Sequence, residues 1–426
     1  MLRIFISILL ISTFSSSISS QSKLLDKLKK ALPNATFEKL DNGHHYGEEW
    51  IIMLEQPLDH HNPEAGTFQQ RLFLAHYDFN EPMLLVTEGY ASYPKYYEIS
   101  DLFKTNQLIV EYRFFGASKP ENYDYRYLNN DQAAMDYHRI HELLEKLYKK
   151  DWIATGISKG GTTCLIYKYK YPKDVKVVVP YVAPLPMQRE DKRCDEFIES
   201  IGSTKCRNKL SDFQKMALEE KSNYLSLLDT LISSEEISFT RVSKLQAIEY
   251  TILELTFSFW QYGHDCDAIP LEGSFEDRFN YLNELVGFDF YSDESIEYYE
   301  PAFYQFMTEN GYYGYAHDHL EGYVDYVTDF TNLNFAPQEV ALNYNQEYLK
   351  YVRVYLYHHG DKVLYIHGGL DPWSACKITP SKKTDALVMI DPDGDHKTRI
   401  SSFDEADKKL IYNTLEKWIG KHIVNN

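Results

Sequence analysis

Cysteine is scarce in this chain. Five occur in 426 residues, Cys164, Cys194, Cys206, Cys266 and Cys376, and no two form a Cys-x-x-Cys pair. A disulfide-dense scaffold and a thiolate zinc site are thereby excluded. Basic residues are outnumbered, 44 Lys and Arg against 63 Asp and Glu, for a net charge of −19. That balance argues against nucleic acid as a partner. No stretch of the chain reaches the ~20 apolar residues of a membrane span, and no Gly-rich loop ends in Lys-Ser/Thr to cradle a phosphate. The histidines give no metal set either. His141-Glu142-x-x-Glu145 lacks the second histidine of a zincin, and His317-Asp318-His319 has no partner spacing. Neither a metal nor a cofactor is expected. With 44% hydrophobic and 25% charged residues, the chain can bury a core large enough for one domain with an insertion, or for two domains. The acidity serves solubility first; a cationic substrate is the functional alternative.

The N-terminus reads as an address. Met1-Leu2-Arg3 is a short basic region, Ile4 to Phe14 an apolar run, and Ser15 to Ser20 a small-residue stretch suited to signal peptidase. Residues 1–20 are expected to be a signal peptide, and the mature chain to be secreted or periplasmic. An odd cysteine count in an exported chain leaves at least one free thiol. Cys194 with Cys206 is the local pairing, and Cys266 with Cys376 is conceivable. One sequon, Asn34-Ala35-Thr36, is present.

Residues 22–45 show no clear core face and read as a leader. Beyond them, Trp50 to Leu54 and Thr67 to Tyr77 read as strands, followed by the short apolar runs Met83 to Val86, Leu108 to Tyr112, Trp152 to Thr155 and Val175 to Val182. The clearest helix between them is Asp131 to Lys149. Apolar strands alternating with helices predict a largely parallel sheet covered on both faces. From Gln188 to Asn345 the texture is helical, aromatic and acidic. Strand signals return at Val352 to Tyr357, Lys362 to His367 and Ala386 to Ile390, and an amphipathic helix, Ser402 to Ile419, closes the chain. The division is therefore 21–187 and 346–426 for an α/β core and 188–345 for an inserted helical cap. The fold class is α/β, of the α/β-hydrolase type.

Chemistry concentrates at Gly156-Ile157-Ser158-Lys159-Gly160. A Gly-x-Ser-x-Gly match gains meaning between a strand and a helix, where the serine sits on a sharp turn and a helix N-terminus faces a developing oxyanion. Serine needs a histidine base, itself oriented by a carboxylate, and in this fold the chain order is Ser, then acid, then His. Asp371 follows the strand Lys362 to His367, and His396 follows Ala386 to Ile390. These three are the candidate catalytic residues. The amide of Lys159 and that of Gly89 or Tyr90 are the candidate oxyanion donors. Glu88 and Glu111, at ends of earlier strands, are candidates for a substrate ammonium.

Gln56-Pro57-Leu58-Asp59-His60, Phe68-Gln69-Gln70-Arg71, Val86 to Tyr90, Glu111 to Phe115, Thr155 to Gly161, Tyr181 to Pro184, Phe259-Trp260-Gln261, Cys266 to Pro270, Asp371-Pro372-Trp373 and His396 together resemble the bacterial prolyl tri- and tetrapeptidyl aminopeptidases. More distantly, the chain is similar to lysosomal prolyl carboxypeptidase and its dipeptidyl-peptidase relative. The resemblance implies Ser158, Asp371 and His396 as a triad, an oligopeptide substrate, and release of short peptides from a free N-terminus, often after proline. From the residues alone, an esterase or lipase on the same fold, a dipeptidyl peptidase, or an inactive hydrolase-like binding protein remain open.

Overall fold

Runs such as Met83-Leu84-Leu85-Val86 are apolar on both sides of a strand, so they are stable only where both sheet faces are covered. A computed structural model describes residues 22–41, 46–121 and 124–424; the expected signal segment lies outside them. Nine strands form one sheet: β1 (Ala35–Leu40), β2 (Glu48–Pro57), β3 (Thr67–His76), β4 (Met83–Thr87), β5 (Asn106–Val110), β6 (Trp152–Ile157), β7 (Val177–Tyr181), β8 (Leu364–Gly368) and β9 (Leu387–Asp391). Their order is β1-β2-β3-β5-β4-β6-β7-β8-β9. The β1, β2, β3 and β5 neighbours pair antiparallel, and every pairing from β5 through β4 to β9 is parallel. Strands β4, β5, β7 and β8 are buried along their whole length. One face is covered by the helices Lys23–Ala31, Asn130–Leu144, Lys159–Lys170 and Gln346–His359, the other by Glu98–Phe103 and Glu405–Ile419. This is an α/β-hydrolase fold.

Parallel pairing has one consequence for chemistry. The C-terminal ends of β4, β6, β8 and β9 lie along the same edge, so the loops that follow them converge there. Between β7 and the sheet-covering helix Gln346–His359 run six α-helices, Arg193–Ile198, Thr204–Glu220, Tyr224–Glu235, Lys244–Gln261, Phe275–Leu285 and Asp293–Gln305. They share one hydrophobic cluster with Phe68 of β3 and with the core loops that carry Tyr112, Phe115 and Trp373. Lys244–Gln261 is its spine. A reciprocal capping box between Ser243 and Gln246 starts this helix, and most of its side chains are buried.

Three expectations are corrected. Val352 to Tyr357 is helix, within Gln346–His359, because Leu349, Val352 and Leu356 are its buried residues and recur at helical spacing. Residues 22–45 are more than a leader: Leu24 and Leu28, one helical turn apart, bury the helix Lys23–Ala31 against the sheet, and β1 adds an edge strand. Neither expected cysteine pairing forms. Cys206 is bonded to Cys266, while Cys164, Cys194 and Cys376 are free and buried. The bond joins Thr204–Glu220 to the turn after Lys244–Gln261 across a sequence separation of 60. Closing a loop of that length restricts the unfolded chain by about 4 kcal/mol. The double variant Cys206→Ser/Cys266→Ser should therefore unfold several degrees earlier in calorimetry. An unchanged Tm would show that the bond contributes nothing.

Candidate active site

At the end of β6 the chain must reverse into a helix within one residue. Ser158 makes that turn with φ 55° and ψ −124°, a conformation that costs a non-glycine residue about 1–3 kcal/mol. Two backbone bonds hold it there: the Ser158 N–H donates to the Tyr181 carbonyl at 2.9 Å, and the Ser158 carbonyl accepts from the Thr162 N–H at 2.9 Å. The flanking glycines are steric requirements. A Cβ on Gly156 would collide with the Gly160 carbonyl, and one on Gly160 would lie 2.5 Å from the Thr87 carbonyl oxygen of β4. Only glycine lets these backbones approach so closely.

The loops after β8 and β9 are bonded to each other. Gly369 N–H donates to Asp391 O at 2.7 Å, and Leu370 N–H to Gly394 O at 2.8 Å. Asp371 is fully buried. Its Oδ1 accepts from the Trp373 N–H at 3.1 Å, which leaves Oδ2 to the His396 Nδ1 at 2.7 Å. The His396 N–H donates to the Gln261 carbonyl at 2.9 Å, fixing this loop to the helical segment. Ser158 and His396 both line a cavity of ≈ 470 Å³. Its remaining wall is mainly aromatic and comes from the helical segment, through residues such as Tyr262, Phe290, Tyr299, Phe303 and Tyr313. The other nearby histidine, His367 of β8, is pushed down to about 3 by burial. It stays neutral and does not line the cavity.

Of the expected oxyanion donors, Lys159 and Tyr90 line the cavity and Gly89 does not. The Lys159 Nζ turns back to donate to the Gly89 carbonyl at 2.8 Å and lies 3.6 Å from the centre of the Tyr112 ring. Burial holds this ammonium well below the usual lysine range. The Gly89 carbonyl and the Tyr90 N–H belong to one peptide plane and point in opposite directions. Clamping the first therefore fixes the direction of the second.

The two glutamates expected to meet a substrate amine are engaged elsewhere. The Glu111 carboxylate is wholly buried and accepts from Arg71 Nη2, Ser92 N–H, Ser118 N–H and Ser118 Oγ. Glu88 accepts from the Tyr97 hydroxyl at 2.8 Å and pairs with Lys95 Nζ at 2.9 Å. Neither lines the cavity. The acid that does is Glu254, on Lys244–Gln261. Its signal in the sequence is an acid inside the apolar run Ile252-Leu253-Glu254-Leu255. Glu249 on the same helix is equally buried, but binds the backbone N–H groups of Asp325, Tyr326 and Val327. Sequence alone does not separate the two. His317 and His319 have protein partners, the Tyr315 carbonyl and Gln214 Oε1.

A serine strained between strand and helix, beside a histidine–aspartate pair carried on later strand ends, is the arrangement of an α/β-hydrolase serine enzyme. Residues 26–423 match the model of the family described as PS-10 peptidase S37, and the chain belongs to that family; it is a serine peptidase. It is 30% identical over 418 residues to the prolyl tri/tetrapeptidyl aminopeptidase of Streptomyces mobaraensis, covering 95% of this chain and 87% of that one. Among solved structures it is similar to the proline iminopeptidase of Mycobacterium smegmatis (11% identity, 90% and 99% coverage, TM-score 0.37). A second is acetyl xylan esterase 1 from Thermoanaerobacterium sp. JW/SL YS485 (11% identity, 92% of each chain, TM-score 0.36).

Proposed function

We propose that the chain releases tripeptides or tetrapeptides, often ending in proline, from the free N-termini of oligopeptides. The observation that carries this reading is the His396–Asp371 pair, opening with Ser158 onto one cavity roofed by the helical segment. A roofed cavity of ≈ 470 Å³ suits a short peptide end and excludes a folded chain. The 30% identity to the Streptomyces enzyme supports the peptide length. Ser158 Oγ attacks the scissile carbonyl while His396 takes its proton, and Asp371 holds the imidazole with Nδ1–H toward itself. His396 then protonates the leaving amine, and the acyl-enzyme is hydrolysed by water that His396 deprotonates. The Lys159 and Tyr90 amides stabilise the oxyanion. The chain acts after export, the N-terminal twenty residues serving as its signal. Mass spectrometry of products from a peptide library tests the function: fragments of three or four residues counted from the N-terminus are expected. Internal cleavage, or single amino acids, would refute it.

The clamp on the Gly89 peptide has its own test. Lys159→Met keeps most of the side-chain volume but frees that carbonyl. The Tyr90 amide then loses its fixed direction, and removal of one oxyanion donor costs about 10²–10³ in kcat. Steady-state kinetics should show kcat falling by an amount up to that size with KM nearly constant. A change confined to KM would move Lys159 from oxyanion geometry to substrate binding.

A further inference from the structure

We propose that Glu254 binds the N-terminal ammonium of the substrate, so that the released peptide is measured from Glu254 to Ser158. This rests on the peptidase reading above and names the group that makes it an aminopeptidase. A peptide end entering an aromatic cavity gives up water around its ammonium, which is costly unless a carboxylate meets it. Among the described residues lining the cavity, Glu254 is the only acid. Its Oε1 accepts from Ser258 Oγ at 2.9 Å and from the Tyr313 hydroxyl at 2.8 Å. Both donors are neutral. They orient the carboxylate without cancelling its charge, and no cationic side chain among the described residues pairs with it. The second oxygen is left for a ligand. Burial lifts this carboxyl to about 7, as expected of a buried acid without a counter-ion. An arriving ammonium would supply one.

The anchor is also held at a set place relative to the reaction centre. The Tyr313 ring stacks on Phe257, which shares the helix Lys244–Gln261 with Glu254, with centroids 3.5 Å apart. It also lies 5.3 Å from the ring of Trp373, a residue whose backbone N–H donates to Asp371 Oδ1. One packed aromatic chain thus runs from the carboxylate to the loop that orients His396. A rigid spacing of this kind selects peptide length.

The test compares Ala-Ala-Pro-p-nitroanilide with its N-acetyl form, in the full chain and in Glu254→Gln. The wild type should prefer the free amine by at least tenfold in kcat/KM. In E254Q that preference should fall to within about twofold, chiefly through a raised KM for the free substrate. Tyr313→Phe removes one bond to Oε1 without touching the charge, and should raise KM for the free peptide severalfold while kcat holds. It keeps the proposal open to refutation should E254Q not fold. An E254Q enzyme with the wild-type preference would overturn the proposal, as would a wild type that cleaves the acetylated peptide equally well. The first result leaves the proposed function standing, whereas the second would also remove its requirement for a free N-terminus and leave only a serine peptidase. No turnover of any peptide by the wild type would end both.

Discussion

Replacing Ser158 by Ala should lower kcat for a peptide amide by about 10⁴–10⁶-fold while leaving the fold intact. The reason is geometric. Ser158 sits at φ 55° between β6 and the helix Lys159–Lys170, and alanine meets the same backbone cost there as serine. Its two backbone bonds, to Tyr181 and from Thr162, involve no side-chain atom. The oxyanion donors and the cavity survive, so residual catalysis above the rate in water is expected. Ser158→Gly should be equally inactive yet more stable by about 1 kcal/mol, because glycine tolerates positive φ. Turnover of Ala-Ala-Pro-p-nitroanilide and thermal unfolding, measured on the same preparations, check both halves. Full activity in Ser158→Ala, in protein free of host peptidases, would remove the serine from the mechanism.

Asp371→Asn is expected to cost about 10⁴ in kcat, for a reason visible in the hydrogen bonds. Oδ1 of Asp371 accepts from the Trp373 N–H and Oδ2 faces His396 Nδ1. In the asparagine variant the amide oxygen must stay with the Trp373 N–H, because the NH₂ group cannot accept it. The NH₂ then points at His396 Nδ1, which must become an acceptor. The ring proton moves to Nε2, the atom that has to take the serine proton. The base is lost without any change of shape. Crystallography of the variant should show the loop unmoved while kcat collapses. Wild-type kcat in Asp371→Asn would separate Asp371 from catalysis.

The elbow was readable because it combines a motif with its context: a strand, two glycines and a helix in the nineteen residues from Trp152 to Lys170. Asp371 and His396 were readable from chain order, since each follows a strand of a parallel sheet and parallel strands end on one edge. Side-chain direction was not. Glu88 and Glu111 do lie near strand ends, yet their carboxylates turn toward Lys95 and Tyr97, and toward Arg71 and Ser118. Position along a strand says nothing about which neighbour a long side chain will meet. The run Val352 to Tyr357 misleads for another reason. Its β-branched and aromatic residues favour a strand locally, but Leu349, Val352 and Leu356 bury one helical face, and tertiary burial outweighs propensity. The Cys206–Cys266 bond depends on how two helices pack, which spacing in the chain does not encode.

The place of β8 and β9 in the chain also bears on how the enzyme is made. Strands β1 to β7, with Ser158, leave the ribosome first. The helical segment follows, and the partners Asp371 and His396 come only with the last two strands. β8 must then cross back to pair beside β7. A nascent or truncated chain therefore carries a nucleophile without a base. On the proposed mechanism such a chain is proteolytically silent through synthesis, and activity begins with the final folding step.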